Sequence, residues 1–273
     1  MLLRDFYNVL NEYAPKALSD EFCQKYGAYD NSGILVDTGK EVTKALFSLE
    51  FSRSAVQKAI SLGADVLVTH HPAIYGKIGD IRCDGFSPLG EKLILCIQNG
   101  ISVISMHLNL DGAQGGIDES LMQGVQLCAS RVGAVQAAYA CEVAQPLTGG
   151  GYGRVYSVAN VPLDTLAKQM CAEFCTQRLL VYQNNDRAVT KAASFCGAGG
   201  DEHAVAFALA QGADVLISSD FRHHVLALAA EKQLSVIVLT HYAAENYGFK
   251  KYYEKIGQAA DVACVYHVDE NLL

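Results

Sequence analysis

Three short blocks recur, in the same order, in the two halves of the chain. VTKA at Val42–Ala45 returns at Val189–Ala192. GADVLVT at Gly63–Thr69 returns as GADVLIS at Gly212–Ser218. SVI at Ser102–Ile104 returns at Ser235–Ile237. The first two blocks start 21 residues apart in one half and 23 in the other. Ordered blocks at matched spacing indicate an internal duplication, so the two halves must share an architecture.

Hydrophobic periodicity says what that architecture is. In the first half, an amphipathic helix ending near Pro15 precedes a buried strand at 42–51. A helix follows at 52–63, with Ser52 or Ser54 as its cap and Gly63 at its end. Next come a strand at 64–69, a helix at 87–100 opened by Pro88, and a strand at 101–106. The second half repeats the alternation, with strands at 151–159, 178–183, 188–197, 213–218 and 234–240, and helices between and after them. Strands alternating with helices imply parallel pairing and an α/β fold. The reading is two related α/β lobes, each a mixed, largely parallel sheet flanked by helices. The first lobe spans 1–125 and the second 151–273. Pro146 and the glycines at 149–151 mark a linker over 126–150.

Composition narrows the function. At 273 residues, 51% apolar and 18% charged, the chain is globular rather than disordered. No apolar run approaches the roughly 18 residues of a membrane span. A net charge of −8 disfavours nonspecific nucleic-acid binding, which needs a basic surface. The first residues read as a helix rather than a secretory signal. The nine cysteines are therefore expected to be free thiols in a reducing cytoplasm, most of them buried as small hydrophobes. None forms the close pairs of a structural zinc site.

The chemistry gathers in three histidine motifs, each at the carboxyl end of a predicted parallel strand. They are His70-His71-Pro72, then His107 with Asp111 four residues on, and His241 with Glu245 four residues on. That edge is where open α/β sheets bind ligands. Imidazole and carboxylate donors without thiolates suit Zn, Fe, Mn, Co or Ni. Five or six donors exceed what one catalytic ion takes from protein, which favours two divalent ions. Strand geometry would send His70 and His71 to opposite sides, so that each reaches a different ion. Asp111 sits in a Gly-rich turn. His107 can ligate, orient Asp111 or shuttle a proton. A fourth cluster holds Asp220, His223 and His224, with Asp220 read as a helix N-cap. The Gly-rich turn after Cys196 can cradle a phosphate but matches no nucleotide motif.

The blocks DNSG (Asp30–Gly33), GADVLVTHHP, MHLNLDGAQGGID, CGAGG, SSDFRHH and THYAAE run in order across nearly the whole chain. Together they resemble the dinuclear-metal-centre hexameric proteins. This is the NGG-interacting-factor-three-like family, whose members are often labelled GTP cyclohydrolase I type 2 homologues. The resemblance implies a two-lobed protein assembled as a hollow, toroidal homohexamer. It also implies metal ligands His70, His71, Asp111, His241 and Glu245, with His107 in or beside the ligand set and Glu245 or Asp111 bridging. Leu108, Thr240 and Ala244 depart from the residues usual in the family, which touches pocket shape rather than ligand type. The expected activity is hydrolysis of a small, nucleotide-like or other ring-containing molecule. The alternative is a non-enzymatic metal-binding scaffold, regulator or metal store.

Overall fold

The computed structural model describes residues 1–85, 87–133 and 141–273. The first elements are α1 (Leu3–Tyr13), α2 (Lys16–Tyr26), β1 (Gly33–Val36), β2 (Lys44–Ser48), α3 (Arg53–Leu62), β3 (Val66–Thr69), α4 (Pro88–Asn99) and β4 (Ser102–Ser105). Then come α5 (Leu108–Gly112), α6 (Ile117–Ser130), β5 (Glu142–Leu147), β6 (Gly150–Val161), α7 (Leu163–Glu173), β7 (Leu179–Tyr182) and β8 (Val189–Ser194). The remaining elements are α8 (Glu202–Ala210), β9 (Val215–Ser218), α9 (His223–Glu231), β10 (Ser235–Leu239), α10 (His241–Ala259) and β11 (Ala263–His267).

The chain forms two compact units, Met1–Ala113 with Phe249–Glu270, and Gln114–Gly248 with Asn271–Leu273. Of the stretch 126–150, residues 134–140 lie outside the described residues, and the rest includes the end of α6 and strand β5.

In the first unit the sheet order is β1-β4-β3-β2-β11. β11, β2, β3 and β4 pair in parallel, and β1 joins β4 antiparallel. All four residues of β3 are buried, as expected for a strand covered on both faces. Local signals set the helix limits. Ser52 Oγ accepts from Ala55 N at 3.0 Å and caps α3, and Gly63 ends that helix in the left-handed region at φ 61°. Pro15 ends one helix but also opens another, because its fixed φ of −58° suits the residue just before α2.

In the second unit the order is β5-β6-β8-β9-β10-β7. Only β8-β9-β10 are parallel. The other three pairings are antiparallel, so this sheet is mixed. A two-residue turn between β5 and β6 leaves no length for a crossover and forces them antiparallel.

The repeated blocks build the same device twice. In the first unit, Asp65 Oδ2 accepts from Thr43 N, Thr43 Oγ1 and Lys44 N at 2.8, 2.8 and 3.0 Å, while Lys44 Nζ donates to Leu62 O at 2.8 Å. In the second, Asp214 Oδ2 accepts from Thr190 N, Thr190 Oγ1 and Lys191 N at 2.9, 2.9 and 3.1 Å, and Lys191 Nζ donates to Gln211 O at 3.0 Å. The Asp of GAD thus tethers the start of the neighbouring strand, which is why TK and GAD recur together. The register is identical too. Ala45 faces Val66 and Val66 faces Ser102, just as Ala192 faces Val215 and Val215 faces Ser235.

All nine cysteines are free. Only Cys96, Cys128 and Cys196 are buried, so most do not serve as core hydrophobes. Cys83, Cys141 and Cys175 are exposed outside the helices and strands. Among the described residues no helix is long and apolar enough to cross a membrane.

Candidate metal centre

Each unit presents one set of donors at the carboxyl edge of its parallel strands. In the first unit β3 ends at Thr69, and the chain turns there. The backbone N–H groups of His70 and His71 both donate to Leu49 O, at 3.2 and 3.0 Å. Thr69 Oγ1 donates to His71 O at 2.8 Å and lies 2.8 Å from Ser105 Oγ, while Ala73 N donates to Ser105 Oγ at 3.1 Å. This turn overrides strand alternation. The two imidazoles do not diverge; their ring centroids lie 4.8 Å apart.

The ring of His70 is fully buried, and its Nδ1 lies 2.7 Å from Met106 O. His71 Nδ1 lies 2.7 Å from Glu50 Oε1, just beyond β2. His107 Nδ1 lies 2.8 Å from Asp30 Oδ1. The other oxygen of Asp30 accepts from the hydroxyls of Ser19 and Ser32, each at 2.5 Å. Burial works to raise the pKa of Asp30, but the bonds from His107, Ser19 and Ser32 outweigh it and hold the carboxyl well below the usual range. Burial likewise works to lower the pKa of His107, and the bond to Asp30 with the charge of Asp111 outweighs it and raises the value. One ligand nitrogen from each of His70, His71 and His107 falls within 4.8 Å of the others.

Asp111 belongs to α5, a single helical turn rather than a Gly-rich loop. Its backbone N–H donates to His107 O at 2.9 Å, so the four-residue spacing stacks the two residues on one face. The Asp111 carboxylate is buried, with Oδ1 3.5 Å from His70 Nε2.

In the second unit, His241 opens α10 and Glu245 lies one turn on, with His241 Nε2 3.0 Å from Glu245 Oε2. Asp220 Oδ2 lies 2.5 Å from His241 Nδ1. Asp220 is therefore not a helix cap. The N-cap position of α9 is Arg222, with no side-chain cap bond, and Asp220 turns back toward His241 from a left-handed backbone at φ 29°. His223 and His224 are exposed, and His224 pairs with Glu202 at 2.7 Å.

The glycine turn after Cys196 serves the same donors. A Cβ on Gly197 would stand 2.2 Å from Glu245 Oε1 and 3.2 Å from His241 Nε2. Its φ of 56° independently favours glycine. Cys196 itself is held through both its N–H and its carbonyl. Cys196 N donates to Asp118 Oδ1 at 3.1 Å, and Tyr152 Oη donates to Cys196 O at 2.5 Å. Asp118 is fully buried, and its other oxygen accepts from Gly153 N and pairs with Arg154.

One rule covers all four histidines. In each, Nδ1 faces a carbonyl or a carboxylate, groups that only accept when ionised or neutral amide. Nδ1 is thus committed to an acceptor in each, which leaves Nε2 as the ring atom that can address an ion. This carboxylate or carbonyl backing is how metal-binding imidazoles are oriented and made more basic. It also sets Nε2 of His70 and Nε2 of His241 beside carboxylate oxygens, at 3.5 and 3.0 Å. Two donors each about 2.1 Å from a shared ion stand about 3.0 Å apart at a right angle and about 3.4 Å apart at the tetrahedral angle. The donor types and spacings fit a divalent ion.

The profile of the family described as Duf34/NIF3 (NGG1p interacting factor 3) matches residues 1–271. The chain belongs to this family. Among Duf34/NIF3 relatives, the Clostridium perfringens protein named GTP cyclohydrolase 1 type 2 homolog is 27% identical over 263 residues, covering 96% of this chain and 93% of that protein. The Saccharomyces cerevisiae NGG1-interacting factor 3 is 25% identical, covering 85% of this chain and 84% of its own. Of solved structures, reduced HcgD from Methanocaldococcus jannaschii matches with a TM-score of 0.77 and 26% identity, covering 97% of both chains. A Bacillus cereus protein related to NIF3 shares the fold at a TM-score of 0.76 and 18% identity, covering 99% of this chain and 97% of that one.

Sequence reading singled out His70, His71, His107 and Asp111, and the first unit gathers them. It also singled out His241 and Glu245, and the second unit pairs them. It missed the orienting roles of Asp30 and Glu50 and the spacing role of Gly197. Counting on from the shared register, Glu50 corresponds to Gly197, His71 to Asp220 and His107 to Thr240. The duplicated frame thus carries different chemistry at equivalent edges. Glu50 left one signal, an acidic residue just past one strand and level with a histidine just past the next.

Proposed function

We propose that the chain binds two divalent ions through His70, His71, Asp111, His241 and Glu245, and uses them to hydrolyse a small molecule. The observation that carries this reading is the shared commitment of Nδ1 to an acceptor in His70, His71, His107 and His241, which leaves Nε2 to address an ion. The donor count supports two ions. The first set supplies up to three imidazoles and a carboxylate, the second one imidazole and one carboxylate. Bound divalent ions supply Lewis acidity and a water that ionises near neutral pH. Zn, Fe, Mn, Co and Ni all suit these donors. His107 is the proton-carrying residue, its Nδ1 held by Asp30 so that Nε2 can take up and return a proton. The name GTP cyclohydrolase 1 type 2 homolog, which relatives carry, favours a nucleotide-like or other ring substrate. The chain acts as a cytoplasmic homohexamer in this reading.

A second reading is a metal-binding scaffold, regulator or metal store. The near-complete burial of His70, Asp111 and Glu245 favours it, because buried donors retain ions well. One experiment separates the two. Metal-loaded protein is assayed against nucleotide, phosphoester and amide panels, with metal per chain measured by elemental analysis. Hydrolysis that His70→Ala and Glu245→Ala abolish together with bound metal supports the first reading. Full metal content with no turnover, whichever metal is loaded, leaves the second. Unchanged metal content in both variants refutes the site.

A further inference from the structure

Beside the first donor set stand two large aromatic side chains that the core does not use. Tyr75 is 61% exposed and Tyr29 is 53% exposed. Their ring centroids lie 5.3 Å apart at 82°, and the Tyr75 ring lies 6.5 Å from that of His107 at 87°. Both are fixed. Tyr75 Oη donates to Tyr29 O at 3.4 Å, and Asn31 Nδ2 donates to Ile74 O at 2.7 Å, pinning the residue before Tyr75. Between Tyr29 and Asn31 sits Asp30, which holds His107. One segment, 29–31, therefore sets the aromatic pair and orients an imidazole of the donor cluster.

We infer that Tyr29 and Tyr75 form a stacking shelf for a planar aromatic or heteroaromatic ring of the substrate, whose polar group addresses the ions. The inference rests on the metal-centre reading above and adds a substrate class to it. Holding large rings in water forgoes the stabilisation of burying them. Binding sites commonly accept that loss, because they combine aromatic walls with a few fixed polar groups. An aromatic ring lying on a phenol face gains stacking that a saturated ring of the same size does not. The near-perpendicular arrangement of Tyr75 to both neighbours keeps the three rings from collapsing into one stack.

The test uses zinc-loaded full-length protein, with metal content verified, and two hydroxamate probes that chelate alike. Benzohydroxamate carries a flat ring, and cyclohexanecarbohydroxamate carries a saturated one. Titration calorimetry should give about ten-fold tighter binding of the flat probe. Tyr75→Phe should keep that preference, and Tyr75→Ala should erase it with zinc per chain unchanged. Equal affinity of the two probes for zinc-loaded wild type overturns the shelf and leaves the metal centre standing. So does a preference that survives Tyr75→Ala. A preference that survives while the sedimentation mass of Tyr75→Ala falls overturns the shelf and makes this surface a contact between copies of the chain. Absence of bound zinc in wild type refutes the metal centre instead.

Discussion

Gly197→Ala separates a backbone requirement from a requirement of the donors. Two penalties meet at this residue. The left-handed φ of 56° costs a side chain about 1–2 kcal/mol. In addition, the new Cβ would stand 2.2 Å from Glu245 Oε1 and 3.2 Å from His241 Nε2. Glu245 can swing its carboxylate away at little cost to folding, but not while it holds an ion. Stability should therefore fall by only about 1–2 kcal/mol, a Tm drop of roughly 2–4 °C. Metal affinity should fall far more, by about 100-fold. Gly212→Ala is the matched control. Its φ is 69°, and nothing lies within 4 Å of a Cβ there, so it carries the backbone penalty alone. Both variants are melted without metal and then titrated with zinc against a competing chelator. Similar melting losses with a zinc-affinity loss confined to Gly197→Ala support the account. Equal zinc affinity in the two variants would refute the reasoning about Gly197.

Asp118→Ala leaves Arg154 buried without its main partner and frees the Cys196 peptide. It should cost about 3–5 kcal/mol in chemical denaturation, and a loss under 1 kcal/mol would contradict the strut role. Asp65 has its pKa held down, since the bonds from Thr43 and Lys44 outweigh the opposing effect of burial. Its stabilisation is thus complete above the ordinary carboxylate pKa of about 4 and is lost as pH falls through its lower folded value. Asp65→Ala should be less stable at neutral pH by about 2 kcal/mol, and the gap should narrow in acid; a gap constant with pH would be inconsistent with this. His107→Ala should keep its metal and lower kcat by about 10²–10⁴ in any hydrolysis found; loss of metal would make His107 a ligand rather than a proton carrier.

The sequence disclosed the elements whose signals are local. Ser52, Gly63, Pro88 and Gly100 bracket helices where their chemistry demands, and the apolar runs became β3, β4, β9 and β10. Strands β1, β5 and β11 escaped notice because they are short or only partly buried, with weak alternation, and their pairing is settled by distant partners. The donors were legible because three histidine motifs, two of them with a carboxylate four residues on, fall just past predicted parallel strands. Their supports were not. Glu50, Asp30 and Asp220 are ordinary acidic residues whose meaning depends on which imidazole lies beside them, and 77 positions separate Asp30 from His107. His70 and His71 depart from strand alternation for a related reason. Strand alternation holds only while the ladder lasts, and the shared Leu49 carbonyl ends it before either histidine.

Anomalous diffraction from crystals grown with a divalent metal, recorded on both sides of its absorption edge, tests the central claim most directly. Two peaks are predicted, with His70, His71, Asp111, His241 and Glu245 supplying the protein donors between them. A single peak, or peaks bonded to none of these five side chains, would contradict it.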